Sequence, residues 1–220
     1  MLGSRLMSST SPYVEYKGSV TKEVDSASDW DSSGEALDVL SVASVGDLVV
    51  IAFSFDFNTS SFTWNGMSFT DIRDGTAQIS PGYYIGYRFV QSGDTNPYIS
   101  VATDRFAGLS VVASVFRGVS TYESANDNNG STGMPDPPAL NPDDAELFVV
   151  TGHIDDDEVT DWVAPTNYEL AAYAASTASG SSGVSSTAIA YRIESLSSDN
   201  PSAFGGSGND NWHAETIAFF

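Results

Sequence analysis

The run "HIDDDEVTD" (153–161) is the sharpest cluster of hard ligands in this sequence. Asp155, Asp157 and Asp161 carry carboxylate oxygens at short spacing, the chemistry that Ca²⁺ takes. Val159 stands where a further oxygen ligand belongs, however, and the glycine and distal glutamate of an EF-hand loop are missing. The run reads better as a solvated loop after a strand. "NDNNG" (126–130) is turn chemistry in the same way, because Asn and Asp tolerate the left-handed region and Gly supplies positive φ.

Catalytic patterns are weaker still. His153 and His213 lie far apart in sequence, and zinc needs more nitrogen or sulfur ligands than a chain without cysteine supplies. No G-x-S-x-G elbow occurs, and nothing positive marks a Ser-His-Asp site. A glycosidase needs two facing carboxylates. Glu35 and Asp38 in "GEALDVL" are an odd number of positions apart, so a strand would point them to opposite faces. The sequence therefore predicts no enzyme and assigns no catalytic, cofactor-binding or metal-binding residue.

Binding is the more serious chemistry. Trp30, Trp64, Trp162 and Trp212, with ten tyrosines, could stack against sugar rings. Trp64 and Trp162 fall at similar points of the two halves, which favours a core or interface role. Arg88 and Arg192 form a repeated pair that could hold an anion. With 29 acids against eight basic residues, each is expected to pair with a carboxylate instead.

Composition sets the bounds on partners. The 220 residues carry a net charge of −21, which repels nucleic acid and anionic membranes, since phosphate binding needs clustered Lys and Arg. Hydrophobic residues make up 41% of the chain, enough for a substantial core. Without cysteine, no disulfide staples the fold. "MLGSRLMSST" does not read as a signal peptide, and no apolar run approaches the ~18 residues of a membrane span. The chain is expected either to be intracellular or to leave the cell by assembly or lysis instead of secretion.

The elements that must position these residues are strands. Helical periodicity is almost absent, while β-rich runs recur between Gly, Ser, Asn, Asp and Pro clusters. Strands are predicted at 13–21, 36–42, 47–55, 61–66, 67–72, 83–90, 97–103 and 109–116. The second half adds 146–153, 167–173, 186–194 and 212–220. Asn65-Gly66 predicts a type I′ hairpin turn. Residues 120–144, rich in Pro, Asn and Gly, cannot hold a central strand and read as a long connection. Residues 171–187, nearly uncharged and small, read as a loop able to mould onto a neighbouring subunit.

A repeat organises the strands. "IGYRFVQSGDTNP" (85–97) is answered by "IAYRIESLSSDNP" (189–201). "GDLVVIAFSFD" answers "AELFVVTGHID", and "SVVASVF" answers "AETIAFF". Period two puts Tyr83, Ile85, Tyr87 and Phe89 on one face, and Ile189, Tyr191 and Ile193 on the equivalent one. Neither half can bury its own sheet, so the two pack as one sandwich. The predicted fold is all-β: a single jelly-roll-like antiparallel β-sandwich of two similar halves, about 13–119 and 145–220, joined by the Pro-rich loop 120–144. Residues 1–12 form an N-terminal arm. Two small sandwiches, one per half, are the alternative.

The strand opening "GDLVVIAF", the "FRGV" after the central strand, the Pro-rich connection, "LFVVTGH" and the closing "WHAETIAF" resemble β-sandwich virion proteins of tailed bacteriophages. The resemblance spans most of residues 40–220 and rests on framework positions, so it carries over no binding residue. It implies a non-enzymatic virion structural protein made in the host cytoplasm, above all a capsid decoration or cement protein. The implied partners are the major capsid protein or other virion proteins, and further copies of the chain, with a trimer favoured. Residues 1–12 are then expected to be pinned on a neighbouring subunit. The alternative is a carbohydrate- or receptor-binding module of a tail or capsid surface, with glycans as partners.

Overall fold

A computed structural model describes residues 13–26, 36–56, 62–76, 81–101, 107–176 and 183–220. The N-terminal arm 1–12, Trp30 and Glu35 lie outside the described residues. The strands are β1 (Glu15–Ser26), β2 (Leu48–Asp56), β3 (Phe62–Asn65), β4 (Thr70–Asp74), β5 (Gly82–Phe89) and β6 (Tyr98–Val101). They continue with β7 (Ala107–Arg117), β8 (Tyr122–Gly130), β9 (Ala145–Asp155), β10 (Glu169–Ala175), β11 (Ser185–Leu196) and β12 (Trp212–Phe219). The chain is all-β, as its sequence pattern predicts.

Two five-stranded antiparallel sheets form the sandwich, in the orders β1-β7-β2-β5-β4 and β8-β12-β9-β11-β10. Replacing β1, β2, β4, β5 and β7 by β8, β9, β10, β11 and β12 turns one order into the other. The register repeats as well. Val50 and Ala52 face Tyr87 and Ile85 in the first sheet, while Val149 and Thr151 face Tyr191 and Ile189 in the second. The repeat read from sequence is thus a duplication of a whole sheet, and each sheet is drawn from one contiguous half.

Three apolar layers result. Between the sheets, Leu48, Val50, Val112, Phe116, Leu147, Val149, Ile217 and Phe219 pack together. On the outer face of the first sheet, Val49, Ile51, Phe53 and Phe55 lie under the two-stranded ribbon β3-β6. This double cover explains why β2 reads as an unbroken apolar run. Trp64 on the ribbon packs edge-on to Phe53 and Phe62.

In the second half the ribbon shrinks to a single bridge, Val163 to Gly205. Trp162 again points inward, packed at right angles to Phe204. Gly152 occupies the position equivalent to Phe53, and a Cβ there would stand 2.9 Å from the Trp162 ring. The two halves therefore fill the same outer layer with different side chains. Trp162 is a core residue and Trp64, partly buried, packs against the core at the equivalent place.

Three local expectations change. Residues 36–42 form no strand: Val39–Ser41 is a 3-10 turn, with Leu37 and Val39 plugged into the outer core. Its backbone is held by Asn96, whose Oδ1 accepts the Leu40 N–H at 2.9 Å. Asn65-Gly66 is not a type I′ hairpin, since only Gly66 has positive φ and β3 pairs with β6 instead of β4. Residues 120–144 contain β8, which among the described residues pairs only with β12. It is an edge strand that precedes the first proline of the segment, so the ladder loses no donor there.

Candidate functional site

The layer between the sheets is apolar at one end and polar at the other. Across the first sheet, Ser110, Ser54 and Tyr83 form a row on β7, β2 and β5. Across the second, the equivalent row is His213, His153 and Thr187 on β12, β9 and β11. The sheets face each other with β7 over β11, so the duplication sets row against row head to tail. One end then gathers hydroxyls, and the other gathers a phenol and two imidazoles.

The hydroxyl end is closed. Thr187 Oγ1 lies 2.7 Å from Ser54 Oγ and 2.9 Å from Ser110 Oγ. Ser185 Oγ donates to Gly108 O at 2.7 Å and to Ser54 O at 2.9 Å. All four side chains are buried and each finds a partner, as buried hydroxyls must.

The aromatic end is open. Tyr83 stacks on His213, with centroids 3.7 Å apart, and His153 lies behind at 5.6 Å from Tyr83. Glu215, two residues along β12, is fully buried and takes two bonds from Arg73, Nη2 to Oε1 at 3.2 Å and Nε to Oε2 at 3.4 Å. Arg73 comes from β4 just after a bulge, and its Nη2 also reaches Asp127 Oδ1 of β8 at 2.6 Å. Edge strands of both halves are therefore tied across the sandwich by one guanidinium.

A cleft of about 340 Å³ opens above this cluster, with Tyr83, Asp127, Asn129, Ser131, Trp212 and His213 among its walls. Trp212 donates its indole N–H to Thr132 O at 3.0 Å. His213 Nδ1 has no hydrogen-bond partner, and Nε2 stands 3.5 Å from Asp127 Oδ2, long for a hydrogen bond. His153 Nε2 is buried and unpartnered too.

Burial governs the charges here. It pulls the His213 imidazole down to about 4, against the opposing pull of Asp127. His153 is held well below the ordinary histidine range by burial, with His213 adding to the effect. Burial raises the Glu215 carboxyl to about 7 despite Arg73, and raises the Tyr83 phenol to about 12. Both imidazoles are thus neutral at pH 7, and they stand beside Arg73 and the two carboxylates it bonds, Asp127 and Glu215. Among the described residues, no group of three His, Cys, Asp or Glu side chains could hold a metal ion.

The residues singled out from sequence are mostly placed elsewhere. Asp161 accepts the N–H and hydroxyl of Ser207, which hold its carboxyl below the ordinary range, and Asp157 accepts the Asn209 N–H at 2.6 Å. Asp155 is buried on β9. The acid run thus serves strand and loop packing. Asp38 accepts the Asn96 amide at 2.8 Å. Arg88 pairs with Asp94 at 2.8 Å and Arg192 with Asp199 at 3.1 Å, each in the turn that follows its strand. These are the carboxylate partners expected of them.

The histidine pair is what sequence spacing hid, because β9 and β12 meet only through sheet pairing. Through the sheet registers, His153 and His213 are the counterparts of Ser54 and Ser110, which already face one another across β2 and β7. The aligned repeats carry only the first of these matches, since "SVVASVF" against "AETIAFF" sets Ser110 opposite Ala214. Among the described residues no helix is long and apolar enough to cross a membrane. Comparison with known proteins finds no matching family model, no matching curated protein and no matching solved structure.

Proposed function

We propose that the protein is a non-enzymatic structural component of a virion, decorating or cementing a capsid through strand-edge contacts with further copies of itself. The observation that carries this reading is the state of the sheet edges. An open edge is a template for another chain unless charge, bulges or cover blunt it. β1 carries Glu15, Lys17, Lys22 and Glu23 with a bulge at Tyr16/Gly18, and β4 is the charged "TDIRD" with its own bulge. β8 is flanked by the segment after it, as Asn126 and Asn128 donate to Ala139 O and Asp136 O.

Among the described residues β10, "ELAAYAA", carries less protection: Glu169, a bulge at its start, and the Tyr16 hydroxyl, which donates to Ala171 O at 3.2 Å. It opens the longest uncharged run of the chain, residues 170–191. Copies with a charge of −21 repel over most of their surface and meet at least cost there. The resemblance to phage sandwich proteins supplies the setting, and β-strand addition supplies the contact.

Light scattering and native mass spectrometry test this. A discrete oligomer is expected, and Tyr173→Glu, adding a like charge beside the edge, is expected to dissociate it without altering the β-sheet circular dichroism. A monomeric wild type, or an oligomer indifferent to Tyr173→Glu, defeats the edge contact. Absence of the chain from purified particles defeats the virion assignment.

A further inference from the structure

The duplication provides an internal comparison for the cleft. The same three-residue row occurs twice, and at one end every hydroxyl is satisfied inside the protein. At the other end the equivalent space opens to solvent; His213, nine-tenths buried and more, lines it, and both of its ring nitrogens are buried without a hydrogen-bond partner. Buried polar groups left unpaired are costly and call for a partner. No described residue bonds the Tyr83 hydroxyl, the Asn129 amide or the Ser131 hydroxyl, and all three line the same cleft.

The charge of the site selects the class of that partner. An anion meets Asp127, Glu215 and a chain of charge −21. A cation meets the Arg73 guanidinium, which already occupies Asp127 at 2.6 Å and Glu215 at 3.2 Å. What remains complementary is a small neutral molecule with several hydroxyls, each able to donate and to accept. A volume of about 340 Å³ lies at the lower end of ligand-site sizes, which run from roughly 300 to 1,000 Å³. Trp212 and Tyr83, only 8% and 5% exposed, add a small apolar share to the wall that the C–H groups of a sugar ring can touch.

We infer that this cleft binds one terminal sugar residue of a neutral glycan, held by Tyr83, Asn129, Ser131, Asp127 and the His213 imidazole. The inference is independent of the β10 contact, which lies on a different strand at the opposite edge of its sheet.

NMR titration of the full chain with glucose, galactose, mannose and N-acetylglucosamine tests it, alongside ammonium, guanidinium and phosphate ions. At least one sugar is expected to shift the Trp212 indole signal, assigned with Trp212→Phe, at a millimolar Kd of about −4 kcal/mol. Asn129→Ala and Ser131→Ala, both outside the core, are expected to weaken it roughly tenfold together, or about 1.4 kcal/mol. A glycan array with the same variants distinguishes a free sugar from the end of a surface glycan: both arms must lose signal together. No shift with any sugar up to about 50 mM overturns the proposal. So does binding that survives the double variant, or a shift caused by the ions and not the sugars. Oligomer measurements are untouched by any of these outcomes.

Discussion

The phenol ring of Tyr83 lies flat on the imidazole of His213, with centroids 3.7 Å and planes 14° apart. One residue belongs to the central part of the first repeat and the other to the second, so this contact joins the duplicated sheets at their polar end. A stack that close, over a carboxylate fixed by Arg73, places two oppositely shifted titrations next to each other.

The pH dependence of stability follows with opposite signs. His213 binds its proton at about 4 in the fold and near 6.5 unfolded, so its stabilisation is complete above pH 6.5 and is lost as pH falls toward 4. Glu215 titrates at about 7 in the fold and near 4.5 unfolded, so its contribution is complete below pH 4.5 and is lost as pH rises through 7. Each is on the order of 3 kcal/mol, and His153 adds to the histidine side. Between pH 7 and 5 the wild type should lose stability gently, Glu215→Gln steeply, and His213→Asn least. Urea unfolding at pH 7.5, 6 and 5 reads the slopes. Equal slopes in all three proteins would refute this account.

The hydroxyl end carries a second prediction. Thr187 Oγ1 is the hub between Ser54, Ser110 and the His153 Nδ1 at 3.4 Å. Thr187→Val keeps the shape and strands those partners, at a cost of about 1–3 kcal/mol. Thr187→Ser keeps the hydroxyl and loses only a methyl, at about 1 kcal/mol. Chemical denaturation ranks the two. A serine variant as unstable as the valine variant would mean that packing, not the hydroxyl, holds this end.

Framework and site differ in how far they can be read from residues alone. Ile85-x-Tyr87-Arg88 and Ile189-x-Tyr191-Arg192 align because each strand obeys the same period of two against the same neighbours, and those neighbours recur in order. β8 is hidden because Asn126, Asp127, Asn128 and Asn129 favour turns; it becomes a strand because β12 offers a full ladder to its backbone. Leu37 and Val39 alternate like a strand but face no ladder, so they enter the core from a 3-10 turn.

The Tyr83–His213 stack has no spacing at all, since it depends on how one sheet is laid over the other. What the sequence does contain is the mismatch between repeats. Where Ser54 stands in one copy His153 stands in the other, and the sheet registers add that His213 stands where Ser110 does, one residue off the aligned repeat.

The two halves come into close contact at the start of β7. Gly108 has φ +64, and a Cβ there would meet Gly183 O at 1.6 Å. Its carbonyl also accepts the Ser185 hydroxyl at 2.7 Å, so displacement would break the sealed hydroxyl end. Gly93 is a control: it has φ +96, but a Cβ there meets nothing within 4 Å. Gly93→Ala should cost about 1–2 kcal/mol of backbone strain alone. Gly108→Ala adds overpacking against backbone that cannot rotate away, for a further 1–3 kcal/mol or so. Thermal and urea unfolding of the two variants measure that difference. If Gly108→Ala proves no worse than Gly93→Ala, the sheets are not in contact there and the closed end must be held by its hydroxyls alone.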